Sequence, residues 1–332
     1  MPCLSRDDRG ASVVEYLLVV GLVALVTAAG YRTFGDTADA KVEAQAECVR
    51  RLDGQCNAAA ATPIDVPARG MPPALASDNP GFDGVKGGKD AAYKPAKGDG
   101  VIEGAGDGRG PHPNDVSQGR IGDCYLMAAL AAMAHKKPDV ISNNIKDNGD
   151  GTFTVTFYEP RTLRSPKKVE VVVKAEFPAK DGRWVFAQPG DTKGDKEELW
   201  PMLYEKAWAQ WKGGGDYSKI VGGHPHDVWR AMTGQSSNWH STTGMWDMSF
   251  STFADHVDAG PVAGGTPSKG DGKKIQLFKD SVLYAEHAYW VESVDRDKKT
   301  VTVRNPWGWN EKPITLSWDD FKKGFPTVYV NR

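Results

Sequence analysis

The chain has 332 residues, enough for one large domain or two modest ones with a sizeable core. Hydrophobic residues make up 40% and charged residues 25%, as in ordinary globular proteins, and a net charge of -2 gives no reason to expect nucleic acid as a partner. Four cysteines are too few for a disulfide scaffold, and no CxxC spacing indicates zinc.

The first predicted element is an apolar run at residues 13–31, which carries no charge after Glu15. Its length approaches that of a membrane-spanning helix, and it lacks the polar face of a helix at the surface of a soluble domain. A secretory signal peptide is one alternative, because Arg6 and Arg9 precede a short apolar run. A fully buried helix of a soluble domain is another.

The start of this run resembles the prepilin signal of short type IVb pilins of the tight-adherence class. Gly10 and Ala11 stand just before the run, and Glu15 is the fifth residue after Gly10. The resemblance covers about the first 55 residues. It implies cleavage after Gly10 by a prepilin peptidase, pilin subunits as partners, and membrane anchoring with the rest of the chain outside the cytoplasm. Cleavage of a secretory signal nearer residue 30 would instead release the protein.

Residues 1–56 therefore form the first predicted segment, within which Cys48 and Cys56 are expected to pair if it lies in an oxidising compartment. Residues 57–113 form the second. A third of these residues are proline or glycine, and they show no periodic apolar pattern. This composition predicts an extended, flexible linker.

The third segment, residues 114–332, begins with a candidate nucleophile. Residues 119–123 predict a turn, and residues 124–134 are apolar on nearly every side, which predicts a helix buried all round with Cys124 in its first turn. Unpaired N–H groups and the helix dipole at that end favour the thiolate, which is the reactive form. A small buried cysteine that only packs is the alternative for a lone thiol.

Strands and a second helix follow. Residues 152–158 and 168–174 alternate or run apolar, which predicts two strands of a hairpin with a long connection. Residues 199–211 carry an aromatic stripe at helical spacing, which is typical of a core helix. Glycines at 213–215 and 222–223 then indicate a subdomain boundary.

A second hairpin, with strands at 288–294 and 300–304, brings two polar side chains together. His287 and Asn305 are symmetric about residue 296, so we expect them to lie side by side. The Asn305 amide oxygen would then orient the imidazole and leave its other nitrogen free for Cys124. Trp307 would cover this contact and keep water from competing.

Each of these residues has an ordinary structural explanation when it is taken alone: a capping histidine, a turn asparagine, a core tryptophan. Their conjunction with a glutamine, Gln118, six residues before Cys124 predicts nucleophilic attack on a peptide carbonyl. In this interpretation His287 moves the proton, and Gln118 with the Cys124 N–H holds the oxyanion.

Separate segments, in the right order, resemble the calpain family: residues 118–125, 198–208, 221–223, 287–289 and 304–308. The resemblance implies an α+β, papain-like cysteine protease of two subdomains acting on protein or peptide substrates. A helical half at 114–223 would carry Gln118 and Cys124. A β-rich half at 224–332 would carry His287 and Asn305. The resemblance implies an endopeptidase that acts through a thioester acyl-enzyme.

The resemblance also implies calcium, although the chemistry itself requires no cofactor. Asp115 and Glu198 fall where the first core site of the family supplies carboxylates, and oxygen ligands suit this hard cation. Two departures from the family pattern stand out. Tyr125 replaces the usual tryptophan, and Glu286 replaces a small residue before His287, where a carboxylate is expected to raise the histidine pKa or alter substrate preference.

Two other classes of function are compatible with the sequence. The chain would be a pilin-like structural or adhesive subunit if its papain-like module only binds. It would be a transglutaminase-like acyl transferase if an amine replaces water, although that class usually orients its histidine with an aspartate rather than an asparagine.

Overall fold

The computed structural model describes residues 79–96, 98–99, 110–161, 164–190, 192–193, 196–244, 247–268, 274–278 and 281–331. The apolar run at 13–31, the prepilin-like start and the Cys48–Cys56 pair all lie outside these residues. No helix in the described part is both long and apolar enough to cross a membrane.

The described residues form a mixed α and β structure whose elements are numbered here in chain order. Helices α1 to α6 span Cys124–Lys136, Pro138–Asn144, Trp200–Trp211, Pro225–Thr233, Phe250–Ala259 and Trp318–Gly324. Strands β1 to β9 span Ala92–Pro95, Gly98–Asp99, Ile145–Asp147, Thr152–Arg161, Arg164–Lys174, Glu176–Lys180, Arg183–Trp184, Thr192–Lys193 and Lys196–Glu198. Strands β10 to β17 span Ser237–Ser241, Val262–Gly265, Lys274–Phe278, Ser281–Tyr284, Ala288–Asp295, Thr300–Arg304, Ile314–Ser317 and Thr327–Asn331.

The first hydrophobic core surrounds α1, and the prediction of a helix buried all round is confirmed. Every residue from Tyr125 to Ala134 is buried. Two indole groups fix its neighbours: Trp229 on α4 donates to the Ala129 carbonyl at 2.9 Å, and Trp208 on α3 donates to the Tyr125 hydroxyl at 2.9 Å. Each fully buried large side chain of such a core contributes about 1.5–3 kcal/mol.

The second core lies on a sheet of antiparallel strands in the order β10-β17-β11-β14-β15-β16. Helices α5 and α6 contribute Phe253, Val257 and Phe321 to this core, together with Leu316 and Val330 from the sheet. The sheet brings together the start of β14, the end of β11 and the end of β15, which is where His287 and Asn305 lie.

The boundary between the two cores lies later in the chain than predicted. Helix α4 follows the predicted boundary at residue 223, yet its Val228, Trp229 and Met232 belong to the first core around α1. The second core begins at Met248. The glycines at 222–223 mark a close approach instead, because a Cβ on Gly223 would lie 2.6 Å from the Tyr125 ring.

The first predicted hairpin is longer and tighter than expected. Strands β4 and β5 pair from Thr152↔Lys174 to Arg161↔Arg164, so the long connection expected between residues 158 and 168 is itself part of the ladder. The apolar pattern predicts strands that are too short, because the polar residues at the far end of this ladder interrupt the pattern while their backbones still pair.

The structure also differs from the predicted linker over residues 79–96. Strand β1 pairs with β6 from Ala92↔Ala179 to Pro95↔Glu176, and Gly81 forms a bridge with Asp216. Phe82 and Tyr93 pack with their ring centroids 5.4 Å apart. These residues are part of the protease-like structure, so a linker is still predicted only for part of residues 57–113.

The hairpin of β14 and β15 has a different register from the one predicted. Trp290 pairs with Arg304 and Val291 with Val303, and the register shifts beyond Val291. If the register of these two pairs continues toward the start of β14, His287 lies opposite Trp307 rather than Asn305. The turn therefore lies further along the chain than residue 296, and the His287 ring reaches Asn305 diagonally, two positions away.

Candidate active site

Cys124 is the first residue of α1 and a free thiol of intermediate exposure. The turn before it requires glycine at one position, because a Cβ on Gly119 would lie 1.9 Å from the Phe186 carbonyl oxygen. This close approach anchors the turn to the chain ahead of α3. It also sets the direction in which Cys124 enters the helix.

Gln118 lies on the same turn, and its position depends on both halves of the protein. Its backbone N–H donates to the Pro306 carbonyl at 2.9 Å, and its Nε2 donates to the Ile121 carbonyl at 2.7 Å. An amide nitrogen carries two hydrogens, so one N–H of Gln118 remains for another acceptor. Ser117 adds a second link, since its Oγ donates to the Trp307 carbonyl at 3.0 Å.

His287 and Asn305 form the side-chain contact that the hairpin predicts. His287 Nε2 lies 2.8 Å from Asn305 Oδ1, and Asn305 is only 5% exposed. An amide oxygen can only accept, so Nε2 carries the hydrogen and Nδ1 is left as the other ring nitrogen. Trp307 lies against the same imidazole with ring centroids 5.1 Å apart, and Tyr289 meets it edge-on at 5.1 Å.

Thr266, next to the end of β11, holds the backbone of His287, and no sequence pattern pointed to it. The His287 N–H donates to Thr266 Oγ1 at 2.9 Å, and the Thr266 N–H donates to the His287 carbonyl at 2.9 Å. The histidine is thus fixed at its backbone by Thr266 and at its ring by Asn305.

The thiol lies near the start of β14, where the backbone N–H of Ala288 interacts with it and lowers its pKa. Burial has the larger effect and raises the pKa of Cys124 to about 11, with the Asp123 charge adding to the rise. The N–H groups of Cys124 and Tyr125 at the helix start lower this pKa, as expected, but burial outweighs them in the free protein.

The histidine is also uncharged at neutral pH in the free protein. Burial lowers the pKa of His287, and the hydrogen bond to Asn305 opposes this only in part. In the described part of the chain no hydrogen bond joins the Cys124 thiol to the His287 imidazole. Burial thus disfavours both the thiolate and the imidazolium in the free protein.

The two departures from the family pattern have separate explanations. Tyr125 is buried, and its hydroxyl accepts the hydrogen bond from Trp208, so it belongs to the core behind the thiol. Glu286 is exposed, has a positive φ of 54°, and accepts a hydrogen bond from Ser268. The expected rise in the His287 pKa is not found, because burial lowers that pKa and no carboxylate is among the groups that raise it.

Asp115 and Glu198 lie together around Gly190. A Cβ on Gly190 would be 2.6 Å from Asp115 Cβ and 3.0 Å from Glu198 Oε2, so the two carboxylates flank one backbone segment. Both are buried, and Asp115 Oδ2 accepts from the His112 N–H at 2.6 Å and from Trp200 Nε1 at 3.1 Å.

The donor chemistry at this place fits a hard cation, because carboxylate oxygens are its preferred ligands. The described residues nevertheless contain no cluster of three or more His, Cys, Asp or Glu side chains able to hold a metal. Further ligands would have to be backbone carbonyls or water.

A thiol at a helix start and an imidazole that an amide orients are groups that cysteine proteases use, and here the thiol lies near Ala288, the residue after His287. The family model described as calpain family cysteine protease matches residues 108–328. The chain belongs to the calpain family of cysteine proteases, which are hydrolases. The described part is a mixed α/β calpain-like protease domain.

Individual relatives agree with this assignment. The calpain-2 catalytic subunit of Bos taurus is 28% identical over 228 residues, which cover 64% of this chain and 30% of that protein. Calpain-5 of Caenorhabditis elegans is 27% identical over 244 residues, covering 64% of this chain and 36% of that protein. Calpain-8 of Mus musculus is 26% identical over 217 residues, covering 62% and 29%. The chain spans about a third of the length of these relatives.

Proposed function

We propose that the chain is a cysteine endopeptidase that hydrolyses protein or peptide substrates through Cys124, His287 and Asn305. The observation that carries the proposal is the 2.8 Å contact between His287 Nε2 and Asn305 Oδ1. His287 directly precedes Ala288, whose N–H interacts with the Cys124 thiol. This contact leaves His287 Nδ1 as the nitrogen that faces the proton to be moved.

The reaction begins from neutral groups, since burial disfavours both the thiolate and the imidazolium. His287 takes the Cys124 proton as sulfur attacks the carbonyl carbon, and the C–S bond forms as the carbonyl electrons move to oxygen. The second N–H of Gln118 and the Cys124 N–H donate to this oxyanion, a contribution of about 3 kcal/mol per donor.

The leaving step returns the proton. His287 protonates the departing amine as the C–N bond breaks, which leaves a thioester on Cys124. Water then attacks the thioester with His287 as general base, the carboxylic acid is released, and the thiol is restored.

The test is the variant Cys124→Ala, assayed by intact-mass analysis of unlabelled peptide substrates. We expect the purified protein to release pairs of fragments whose summed mass exceeds that of the substrate by one water, and the variant to release none while its thermal unfolding is unchanged. Products that gain an amine instead would indicate acyl transfer. No turnover, together with no labelling of Cys124 by an electrophilic thiol probe, would indicate a binding module.

We propose that Asp115 and Glu198 hold a calcium ion. Its positive charge would attract both carboxylates and so hold the segments that carry them together. Calcium chloride is expected to raise the thermal unfolding temperature of the parent protein. It should leave the unfolding temperature of the Asp115→Asn variant unchanged, because only the site with both carboxylates binds calcium. Isothermal titration that shows no calcium binding to the full chain would remove the proposal.

We propose that residues 1–56 anchor the protein, with the protease-like domain outside the cytoplasm and associated with pilin subunits. The resemblance of residues 9–16 to a prepilin signal supports this. N-terminal sequencing of the membrane fraction is expected to begin at Ala11. An uncut chain, or one that begins well past Ala11, would contradict it without affecting the proposed chemistry.

A further inference from the structure

The residue immediately before the thiol is a fully buried carboxyl group that the proposed reaction does not use. Asp123 occupies the cap position of α1 and is 0% exposed, yet its side chain makes no capping hydrogen bond. In the described part of the chain neither of its oxygens has a hydrogen bond of good geometry, although the Gln118 side chain lies close enough to lower its pKa. A buried carboxylate without a donor costs several kcal/mol, so a donor is to be expected.

Glu205 is the side chain that faces Asp123. It lies on α3, is 2% exposed, and its Oε1 accepts from the Ala187 N–H at 3.0 Å. The side chains of Asp123 and Glu205 act on each other directly, as hydrogen-bonding and charged neighbours. Two carboxylates offer only acceptors to each other, whereas one protonated carboxyl group would donate to the other.

The neighbouring lysine does not neutralise this pair. Lys206 follows Glu205, but its Nζ points away and donates to Asn79 Oδ1 at 2.6 Å and to the Lys174 carbonyl at 2.8 Å, as well as to the Glu176 carbonyl. Among the described residues, no cation acts on Asp123 or Glu205.

The other titratable groups around the pair are tyrosines and the thiol. Tyr93 and Tyr217 interact with Glu205, while Tyr125 and Cys124 interact with Asp123. Burial raises the pKa of each of these tyrosines above its ordinary value, so they are neutral near pH 8.

Two adjacent buried carboxyl groups cannot both ionise easily, because each charge disfavours the other and neither is solvated. Burial raises the pKa of Asp123 to about 7 and that of Glu205 well above its usual range. Protonation of one of the two carboxyl groups relieves this repulsion, so the pair keeps a proton to higher pH than an exposed carboxyl group does.

We propose that Asp123 and Glu205 share one proton near pH 8, and that Glu205 is a positioning residue that holds this proton against Asp123. The proposal rests on the proposed function in that it takes Cys124 as the nucleophile. A shared proton spreads the single negative charge over both carboxyls. It thereby keeps part of that charge away from the thiol, where a full charge on Asp123 would oppose ionisation.

The pair of Asp123 and Glu205 also interacts with Gln118, the proposed oxyanion donor. The Gln118 side chain interacts with Asp123. Asp123 thus interacts with Gln118, which would hold the oxyanion, and directly precedes Cys124. Glu205 influences Gln118 and Cys124 only through Asp123.

The experiment uses two isosteric variants of the full chain that move the charge in opposite directions. Glu205→Gln donates an amide N–H and leaves the whole charge on Asp123. Asp123→Asn leaves it on Glu205, further from the thiol. The measurement is the rate of iodoacetamide alkylation at Cys124, followed by mass analysis of the peptide that contains it, between pH 6 and pH 10. Glu170→Gln, which changes an exposed carboxylate paired with Lys168, is the control.

We expect Glu205→Gln to slow alkylation at pH 8 by roughly 3- to 10-fold, and Asp123→Asn to accelerate it by a similar factor, which corresponds to half to one pKa unit. The control should match the parent protein. Equal slowing in both variants would indicate only structural damage and overturn the proposal, as would no change in either.

A measurement on the parent protein covers the case in which a variant does not fold. Infrared spectroscopy of the full chain should show the band of a protonated carboxyl group that persists at pH 8. Its absence would overturn the proposal. Alkylation requires no peptide substrate, so a protein that alkylates as expected but cleaves nothing would contradict the proposed function and leave the shared proton standing.

Discussion

The indole of Trp307 lies against the imidazole of His287, with ring centroids 5.1 Å apart and the planes tilted by 52°. Trp307 is itself 37% exposed, and Tyr284 also packs against its ring with centroids 4.4 Å apart. Its backbone carbonyl also accepts a hydrogen bond from Ser117, which lies next to Gln118. One residue therefore shields the histidine and links it to the nucleophile turn.

This relationship gives a prediction for Trp307→Ala. Removing the indole admits water to the His287–Asn305 hydrogen bond and frees the ring, so kcat/KM should fall about 10- to 100-fold through proton transfer. Trp309 is the matched control, because it is 66% exposed and follows two residues later. The measurement is steady-state kinetics on a peptide substrate. Equal losses of kcat/KM in Trp307→Ala and Trp309→Ala would contradict the shielding role.

A second prediction separates the roles of the hydrogen-bonded pair. His287→Ala should reduce kcat/KM about 10³- to 10⁴-fold, because it removes the proton carrier, whereas Asn305→Ala should cost about 10- to 100-fold, because it removes only the orienting group. Both variants need to unfold at the temperature of the parent protein for the comparison to hold. Equal or reversed losses would show that the assigned roles are wrong.

A third prediction concerns pH. Since burial raises the pKa of Cys124 to about 11, the thiolate is a minor form at neutral pH and increases with pH up to that value. Alkylation of Cys124 in the native protein should therefore rise about tenfold per pH unit from pH 7 to pH 10. In urea the same thiol should level off near pH 8.5, the ordinary value for a cysteine. A native profile that levels off below pH 8 would show that the burial effect is absent.

The same shift has a consequence for stability. The neutral thiol is the form that the folded state accommodates, so this contribution is fully present below the pKa of the unfolded chain and is lost as pH rises toward about 11.

A fourth prediction uses two glycines of the nucleophile turn. Gly119→Ala places a Cβ 1.9 Å from the Phe186 carbonyl oxygen, so the turn has to move, which should cost about 1–3 kcal/mol of stability and about 100-fold in kcat. Gly122→Ala meets only the tip of Val221 at 3.1 Å and should be tolerated. Thermal unfolding and single-turnover kinetics measure both effects. Comparable behaviour of the two variants would show that the Phe186 contact does not fix the turn.

Local patterns predicted the parts of the site that depend on one element. The apolar run after Cys124 predicts α1, and two alternating strands with a polar turn predict the β14–β15 hairpin that joins His287 to Asn305. The register of that hairpin was misjudged by two positions, because turn length and the shift beyond Val291 leave no clear trace in the sequence. The contact survives because an imidazole is long enough to reach a diagonal neighbour.

Features that depend on distant segments were not predictable in this way. Asp123 and Glu205 stand 82 positions apart on separate helices, and nothing near either one signals that the other faces it. Strand β1 is only four residues long within a segment rich in glycine and proline, and its partner β6 comes much later in the chain. Composition alone therefore assigned it to a linker.

Residues 79–96 also bear on how the protein responds to mechanical load. Asn79 is tied to the buried Lys206 and to Glu176, and β1 is paired along its length with β6. A pull on the chain ahead of residue 79 would meet these contacts before it reached the turn that carries Cys124. Tension applied there would thus be borne first by the pairing of β1 with β6, which comes before Cys124 along the chain.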